Sequence, residues 1–350
     1  MTKSSLPPIY NSTEYSSPDY TDIIDVRSPS EYAEDHIPGA INLPVLDNQQ
    51  RIEVGTLYKS NPFEAKKLGA AYVSNNIAEV IKSHLKEKDA GFRPLIYCWR
   101  GGQRSRSMAI TLNQVGWHVT LLEGGYKNYR AQVRASLEVQ PKLFKIRLLN
   151  GLTGTAKTEI LKHLATLGEQ VLDLEGLAHH KGSLLGFDPE KSQPSQKLFE
   201  SLINTALNKF STEKVIWVES ESNKIGNLHV PEMIWIQMKS APQIEIIAPV
   251  SARIKHILKE YTHLTENPSI LREKLAFIKH RVAGTVYESW QQLISDCHWE
   301  ALVKSLLEEH YDPSYRRSMS NNVRQTISIE KIESLDKVSL SSIASKLAVL

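Results

Sequence analysis

The stretch LIYCWRGGQRS, residues 95–105, decides the fold. Residues 95–98 read as a central strand, residues 108–115 carry apolar side chains at helical spacing, and Gly116 stops the helix. Cys98 therefore stands where a strand ends and a loop turns into a helix N-terminus. Such a loop aims backbone N–H groups and the positive end of a helix dipole into one concavity, and Gly101 and Gly102 let the chain curl around an anion. With Arg100 and Arg104 alongside, the thiol is expected to ionise easily and to attack an electrophilic sulfur, selenium or phosphorus centre. Five residues separate Cys98 from Arg104, a spacing that Cys-dependent phosphatases also use, so the loop alone leaves chalcogen transfer and phosphate-ester hydrolysis both open.

Working outward, residues 22–26, 40–43 and 119–122 read as strands, and 29–35, 63–88 and 105–115 as helices, the alternation of an α/β domain. Residues 1–20, rich in Ser, Pro and Tyr, read as a flexible leader, and 21–137 as the domain carrying Cys98. Pro141 marks a linker. A second α/β domain, 138–250, opens with an apolar strand at 144–149, followed by Gly151-Leu152-Thr153-Gly154-Thr155-Ala156-Lys157-Thr158 and a helix over 157–167. This is the context that a GxxxxGK[ST] loop requires: backbone N–H groups wrap a diphosphate, Lys157 reaches its outer phosphate, and the Thr158 hydroxyl is placed for a magnesium ion. Ala156 stands where the motif has its last glycine, which argues against tight triphosphate binding and leaves room for a diphosphate. Asp173 and Glu219 are the acidic candidates for the metal, and no resident metal or tightly bound cofactor is expected.

The chain has 350 residues, 41% hydrophobic, enough for about two domains. Its 42 Lys and Arg against 39 Asp and Glu leave a net charge of +3, so nucleic acid would have to be met by a local patch and not by the chain as a whole. Two cysteines, Cys98 and Cys297, exclude a disulfide framework and a four-cysteine zinc site. No apolar run approaches the 18 residues of a membrane span and no signal sequence is visible, so a cytoplasmic protein is expected.

Upstream of the cysteine lies DVRSPSEYAEDHIPGAINLP, residues 25–44. Asp25-Val26-Arg27, then His36-Ile37-Pro38-Gly39-Ala40-Ile41-Asn42, then a cysteine loop after a strand, resembles the rhodanese domain of sulfurtransferases. Asp25 and Arg27 are read as a structural ion pair and His36 as capping a turn. The rhodanese-like domain followed by a P-loop-type domain containing LDLEGLAHHKGS (172–183), QPSQKLFES (193–201) and VESESNKIG (218–226) resembles the tRNA 2-selenouridine synthases. The segments VLDNQQRIEVGTLYKSNPFEAKKLGA (45–70) and GGYKNYR (124–130) look like that family too.

The resemblance implies an enzyme acting on wobble 2-thiouridine of tRNA. It would attach a geranyl group from geranyl diphosphate to sulfur, then replace the geranylthio group with selenium from selenophosphate. Cys98 would be the selenium-carrying nucleophile; Arg100, Gly101, Gly102, Arg104 and Ser105 would cradle selenophosphate; and Gly151, Gly154, Lys157 and Thr158 would hold the prenyl diphosphate.

Residues 251–311 read as a helical region. Its Arg253, Lys255, Lys259, Arg272, Lys274, Lys279, His280 and Arg281 form the candidate surface for the tRNA anticodon region, with Tyr287 or Trp290 as stacking partners. Residues 312–350 are left as a C-terminal tail. Three other readings compete: a rhodanese-type persulfide carrier with a regulatory P-loop domain, a Cys-based phosphatase, and a nucleotide-regulated tRNA-binding protein. Cys297 is read as structural, since its neighbour His298 would point elsewhere on a helix.

Overall fold

A computed structural model describes residues 6–220, 222–320 and 324–350. Residues 1–5 of the expected leader, Glu221 of VESESNKIG and 321–323 of the expected tail lie outside the described residues. The chain divides into two compact units, 1–136 with 195–205, and 137–194 with 206–350.

The first unit is built on strands β1 (Tyr10–Ser12), β2 (Asp22–Asp25), β3 (Ile41–Asn42), β4 (Pro94–Tyr97) and β5 (Thr120–Leu122). They form a parallel sheet in the order β1-β5-β4-β2-β3. The β4 strand is apolar throughout and buried, as the middle of a parallel sheet covered on both faces must be. Helices α1 (Pro29–Glu34), α2 (Asn48–Ser60), α3 (Pro62–Ser83) and α4 (Gln103–Val115) complete the crossovers, and α5 (Gly125–Val139) follows β5. Ile24, Ile96, Met108, Leu112 and Val119 pack the core between sheet and helices. Tyr10–Ser12, inside the expected leader, occupies the sheet edge beside β5.

In the second unit β6 (Lys145–Gly151) leads into α6 (Lys157–Thr166), β7 (Gln170–Leu172) and α7 (Leu174–Ala178). Helix α8 (Gln196–Leu207) follows, and its residues up to 205 belong to the first unit. Strand β8 (Val215–Glu219), the short antiparallel pair β9 (Lys224–Ile225) and β10 (Leu228–His229), helix α9 (Glu232–Ser240) and strand β11 (Gln243–Ile247) come next. The helical region is α10 (Val250–Glu260), α11 (Thr262–Glu266), α12 (Pro268–Ala276), α13 (Gly284–Ser295), α14 (Trp299–Leu306) and α15 (Asp312–Ser320), with its own core around Trp290, Leu275 and Leu302. Residues within the expected tail form β12 (Thr326–Lys331), paired in parallel with β11, and α16 (Lys337–Leu347), which buries Leu340, Ile343 and Leu347 in the core shared with α6. The sheet order is β12-β11-β6-β8-β7, all parallel, with the glycine-rich turn leaving its central strand.

Candidate functional site

Cys98 immediately follows β4 and is 3% exposed. Its Sγ accepts a hydrogen bond from the Gly102 backbone N–H at 3.2 Å, and Ser105 Oγ lies at the same distance. Gly102 is the N-cap of α4, so the helix N-terminus faces the sulfur as expected. The loop is clamped from behind by α5: Tyr126 N–H donates to the Cys98 carbonyl at 2.9 Å and Lys127 N–H to that of Trp99 at 3.0 Å. This close approach requires Gly125. At φ +55° a Cβ there would stand 2.2 Å from the Cys98 carbonyl oxygen and 2.6 Å from the Gly101 nitrogen.

Gly102 and Ser105 thus face the thiol, Gly101 turns the loop at φ +66° against the Leu122 carbonyl, and Arg100 projects exposed from the same loop. Arg104 is engaged elsewhere. Its guanidinium grips both carboxylate oxygens of Glu31, at 2.7 and 3.3 Å. Burial raises the Glu31 carboxyl, but the hydrogen bond and charge of Arg104 outweigh it and hold Glu31 below its ordinary range. Glu31 is therefore the ionised partner of an arginine, not the proton donor a phosphatase would want. It was not singled out by sequence; the Ser28–Glu31 capping box that fixes it was the available signal.

Asp25 and Arg27 form the expected ion pair, buried at 2.6 Å, with Arg27 also bonding the Asp35 carbonyl and lying over the Tyr126 ring. His36 caps the end of α1 through Nδ1 and the Tyr32 carbonyl, 2.8 Å apart.

The second candidate site is the turn after β6. Gly154, at φ +83°, faces Ile257, where a Cβ would meet a side-chain carbon at 2.6 Å. Ala156 adopts the left-handed conformation, φ 57° and ψ 33°, that the motif's glycine would supply, and its methyl joins the core beside Leu149 and Ile160. The backbone thus takes the left-handed turn with a Cβ in place. Lys157, opening α6, donates to the Gly151 carbonyl at 3.0 Å and lies 3.6 Å from Glu219. The Thr158 hydroxyl sits 3.2 Å from Glu219 and 3.4 Å from Glu175. Asp173 caps α7 through the Gly176 N–H, which leaves Glu219 as the strand-end acid. Among the described residues no group of three or more His, Cys, Asp or Glu is disposed to hold a metal ion.

Lys157, Thr158, Glu219, Lys181 and His256 line a cleft of about 300 Å³. An apolar pocket walled by Leu258, Leu271, Trp299, Leu302 and Leu306 opens beside it, and the two share Thr153, Ser183, Ile257, Tyr261 and Tyr311. Sequence reading did not find this pocket, because its walls come from helices spaced over fifty residues with no motif.

The helical basic surface is altered by the structure. Arg253 is a correction: it is 1% exposed, pairs with Asp312 through two bonds of 2.9 and 2.6 Å, and donates from Nε to the Thr153 carbonyl, so it braces the phosphate loop from within. Trp290 is fully buried with its Nε1 on Ser305, so it is core and not a stacking platform. Arg272 is tied to Gln291 and Ser295, Lys274 lies over Phe187 and Lys279 over Tyr287. Lys255, Lys259, His280 and Arg281 are exposed. Cys297 is exposed in the turn before α14, at φ 55°.

The fold and the two loops define a class: an enzyme joining a rhodanese-like unit to a P-loop unit. Residues 12–132 match the rhodanese-like domain, and 144–344 match the tRNA 2-selenouridine synthase AAA domain. Curated tRNA 2-selenouridine synthases of Chromohalobacter salexigens and Proteus mirabilis are each 32% identical to this chain, over 89% of it and over 92% and 94% of their own lengths. That of Shewanella sediminis is 30% identical over 87% of this chain and 89% of its own. The chain belongs to the tRNA 2-selenouridine synthase family. No helix among the described residues is long and apolar enough to cross a membrane.

Proposed function

We propose that this chain converts wobble 2-thiouridine of tRNA to 2-selenouridine in the cytoplasm, through a geranylated intermediate. What supports the prenyl step is the junction of a phosphate loop with an apolar pocket of about 60 Å³: the diphosphate head lies in the cleft and the hydrocarbon tail enters the pocket, which the helices around it must open to take the whole tail. Gly151, Gly154, Lys157 and Thr158 hold the diphosphate of geranyl diphosphate; a magnesium ion, if bound, would be held by Thr158 and Glu219 and would neutralise the leaving diphosphate. The thiouridine sulfur attacks C1 of the geranyl group, the C1–O bond breaks, and diphosphate departs with the bonding electrons.

In the second step selenium replaces the geranylthio group. Summed over the exchange, geranylthio-uridine, selenophosphate and water give 2-selenouridine, geranylthiol and phosphate. Cys98 is the nucleophile: its thiolate attacks C2 of the base and geranylthiolate departs. The selenium of selenophosphate then attacks C2 and displaces the thiolate, and water cleaves the Se–P bond to release phosphate. Gly101, Gly102 and Ser105, with Arg100 and a released Arg104, receive the donor's oxyanion.

Mass analysis of nucleosides after incubating the purified protein with 2-thiouridine tRNA tests both steps. Geranyl diphosphate alone should yield the geranylated nucleoside, and later addition of selenophosphate the selenouridine. Lys157→Ala should block the first product and leave pre-geranylated tRNA a substrate for selenium; Cys98→Ser should do the reverse. No mass change with wild-type protein and both co-substrates would refute the reading.

A further inference from the structure

A slot of about 390 Å³ lies between α2, α3 and the start of α4 in the first unit. Its apolar lining is Val54, Val73 and the half-exposed Ile110, and α3 adds Ala65, Gly69 and Ala70, with Gly69 lying against Val54 of α2. Its rim carries the exposed Tyr58, Lys66 and Arg106. No carboxylate lines it among the described residues. The wall toward the cysteine loop is Gln103 and Arg104, the residues directly after Gly102, whose N–H bonds Cys98 Sγ.

We infer that this slot holds single-stranded RNA of the substrate tRNA beside the cysteine loop, one unstacked base lying against Tyr58 and the flanking phosphates on Lys66 and Arg106. The chemistry selects the occupant. An apolar lining with one exposed aromatic ring suits a nucleobase face, and cations at the rim suit the phosphates on either side of it. A duplex presents its bases stacked and would leave the lining uncovered. The inference rests on the tRNA substrate proposed above and names where its loop docks, on the first unit and not on the basic face of α10 and its neighbours.

The test is fluorescence anisotropy of the full-length protein with a labelled anticodon stem-loop bearing 2-thiouridine, over a salt series. Lys66→Glu with Arg106→Glu should raise Kd at least about tenfold and flatten the log Kd against log salt slope by about 1.4, as two lost single-strand phosphate contacts require. Tyr58→Ala should weaken binding about tenfold with the slope unchanged, since stacking releases no counterions. The milder Lys66→Gln with Arg106→Gln should fall between wild type and the charge reversal, which separates lost contacts from misfolding. Lys209→Glu with Lys214→Glu, a reversal of two exposed lysines outside the slot, should stay within about twofold of wild type. Wild-type binding that is indifferent to the slot substitutions overturns the inference while sparing the tRNA reading. Absence of RNA binding by the wild-type protein overturns both.

Discussion

Arg104 and Glu31 are joined by two hydrogen bonds of 2.7 and 3.3 Å, so the arginine six residues after Cys98 faces a carboxylate and not the thiol. The pair is mostly buried, with both side chains about one-fifth exposed or less. It ties the start of α4 to α1.

The Glu31 carboxyl is depressed in the folded protein, so its contribution to stability is present above the unfolded value of about 4.3 and is lost as pH falls through the folded value. Glu31→Gln should therefore lower the melting temperature at pH 7, and the gap from wild type should close as the pH drops below about 4. A gap of constant size across that range would sink the assignment. The same variant, having released Arg104, should bind phosphate at the cysteine loop more tightly than wild type.

Gly125→Ala would force a Cβ into the Cys98 carbonyl and the Gly101 nitrogen. The left-handed backbone alone adds about 1–2 kcal/mol, and the overlap adds more. We expect loss of more than about 2 kcal/mol in urea unfolding of the first unit, and loss of selenium exchange with prenyl transfer retained. Retention of selenium exchange would show that the clamp on the loop is dispensable.

Ala156→Gly sets two effects against each other. Removing the left-handed strain of about 1–2 kcal/mol favours glycine, while one buried methyl, about 0.8 kcal/mol, and the added freedom of the unfolded chain, about 0.5–1 kcal/mol, favour alanine. Stability should change by less than about 1 kcal/mol, measured by urea unfolding, with diphosphate affinity by calorimetry within about threefold of wild type.

Asp312→Ala would strand Arg253 as a buried cation. Breaking one side of such a pair removes about 3–5 kcal/mol. Because the same guanidinium holds the Thr153 carbonyl, diphosphate binding should weaken as well. A variant destabilised by less than about 1 kcal/mol would mean that the guanidinium finds water instead.

What sequence reading recovered and what it missed follow one physical division. Cys98 and Lys157 stand at strand–turn–helix junctions, where local chemistry and glycine positions specify the geometry. Arg253 reads as surface because its partner, Asp312, is 59 residues away and a lone arginine in a helical pattern carries no sign of burial. Helix α2 buries no residue, so it carries no apolar stripe to be read. The edge strand β12, with one buried residue, has the same weakness, so the segment holding it reads as a tail. The slot of α2, α3 and α4 has no motif at all; it exists because small residues on α3 face a neighbour.

Residues 195–205 lie with the first unit, where Arg130 bonds the Lys197 carbonyl at 3.1 Å and pairs with Glu200. The rhodanese-like unit is thus discontinuous in sequence. During synthesis its folding is not finished when residue 136 emerges; Arg130 waits for a helix that appears only after the phosphate loop has been made, which ties the maturation of the two chemistries to one order of events.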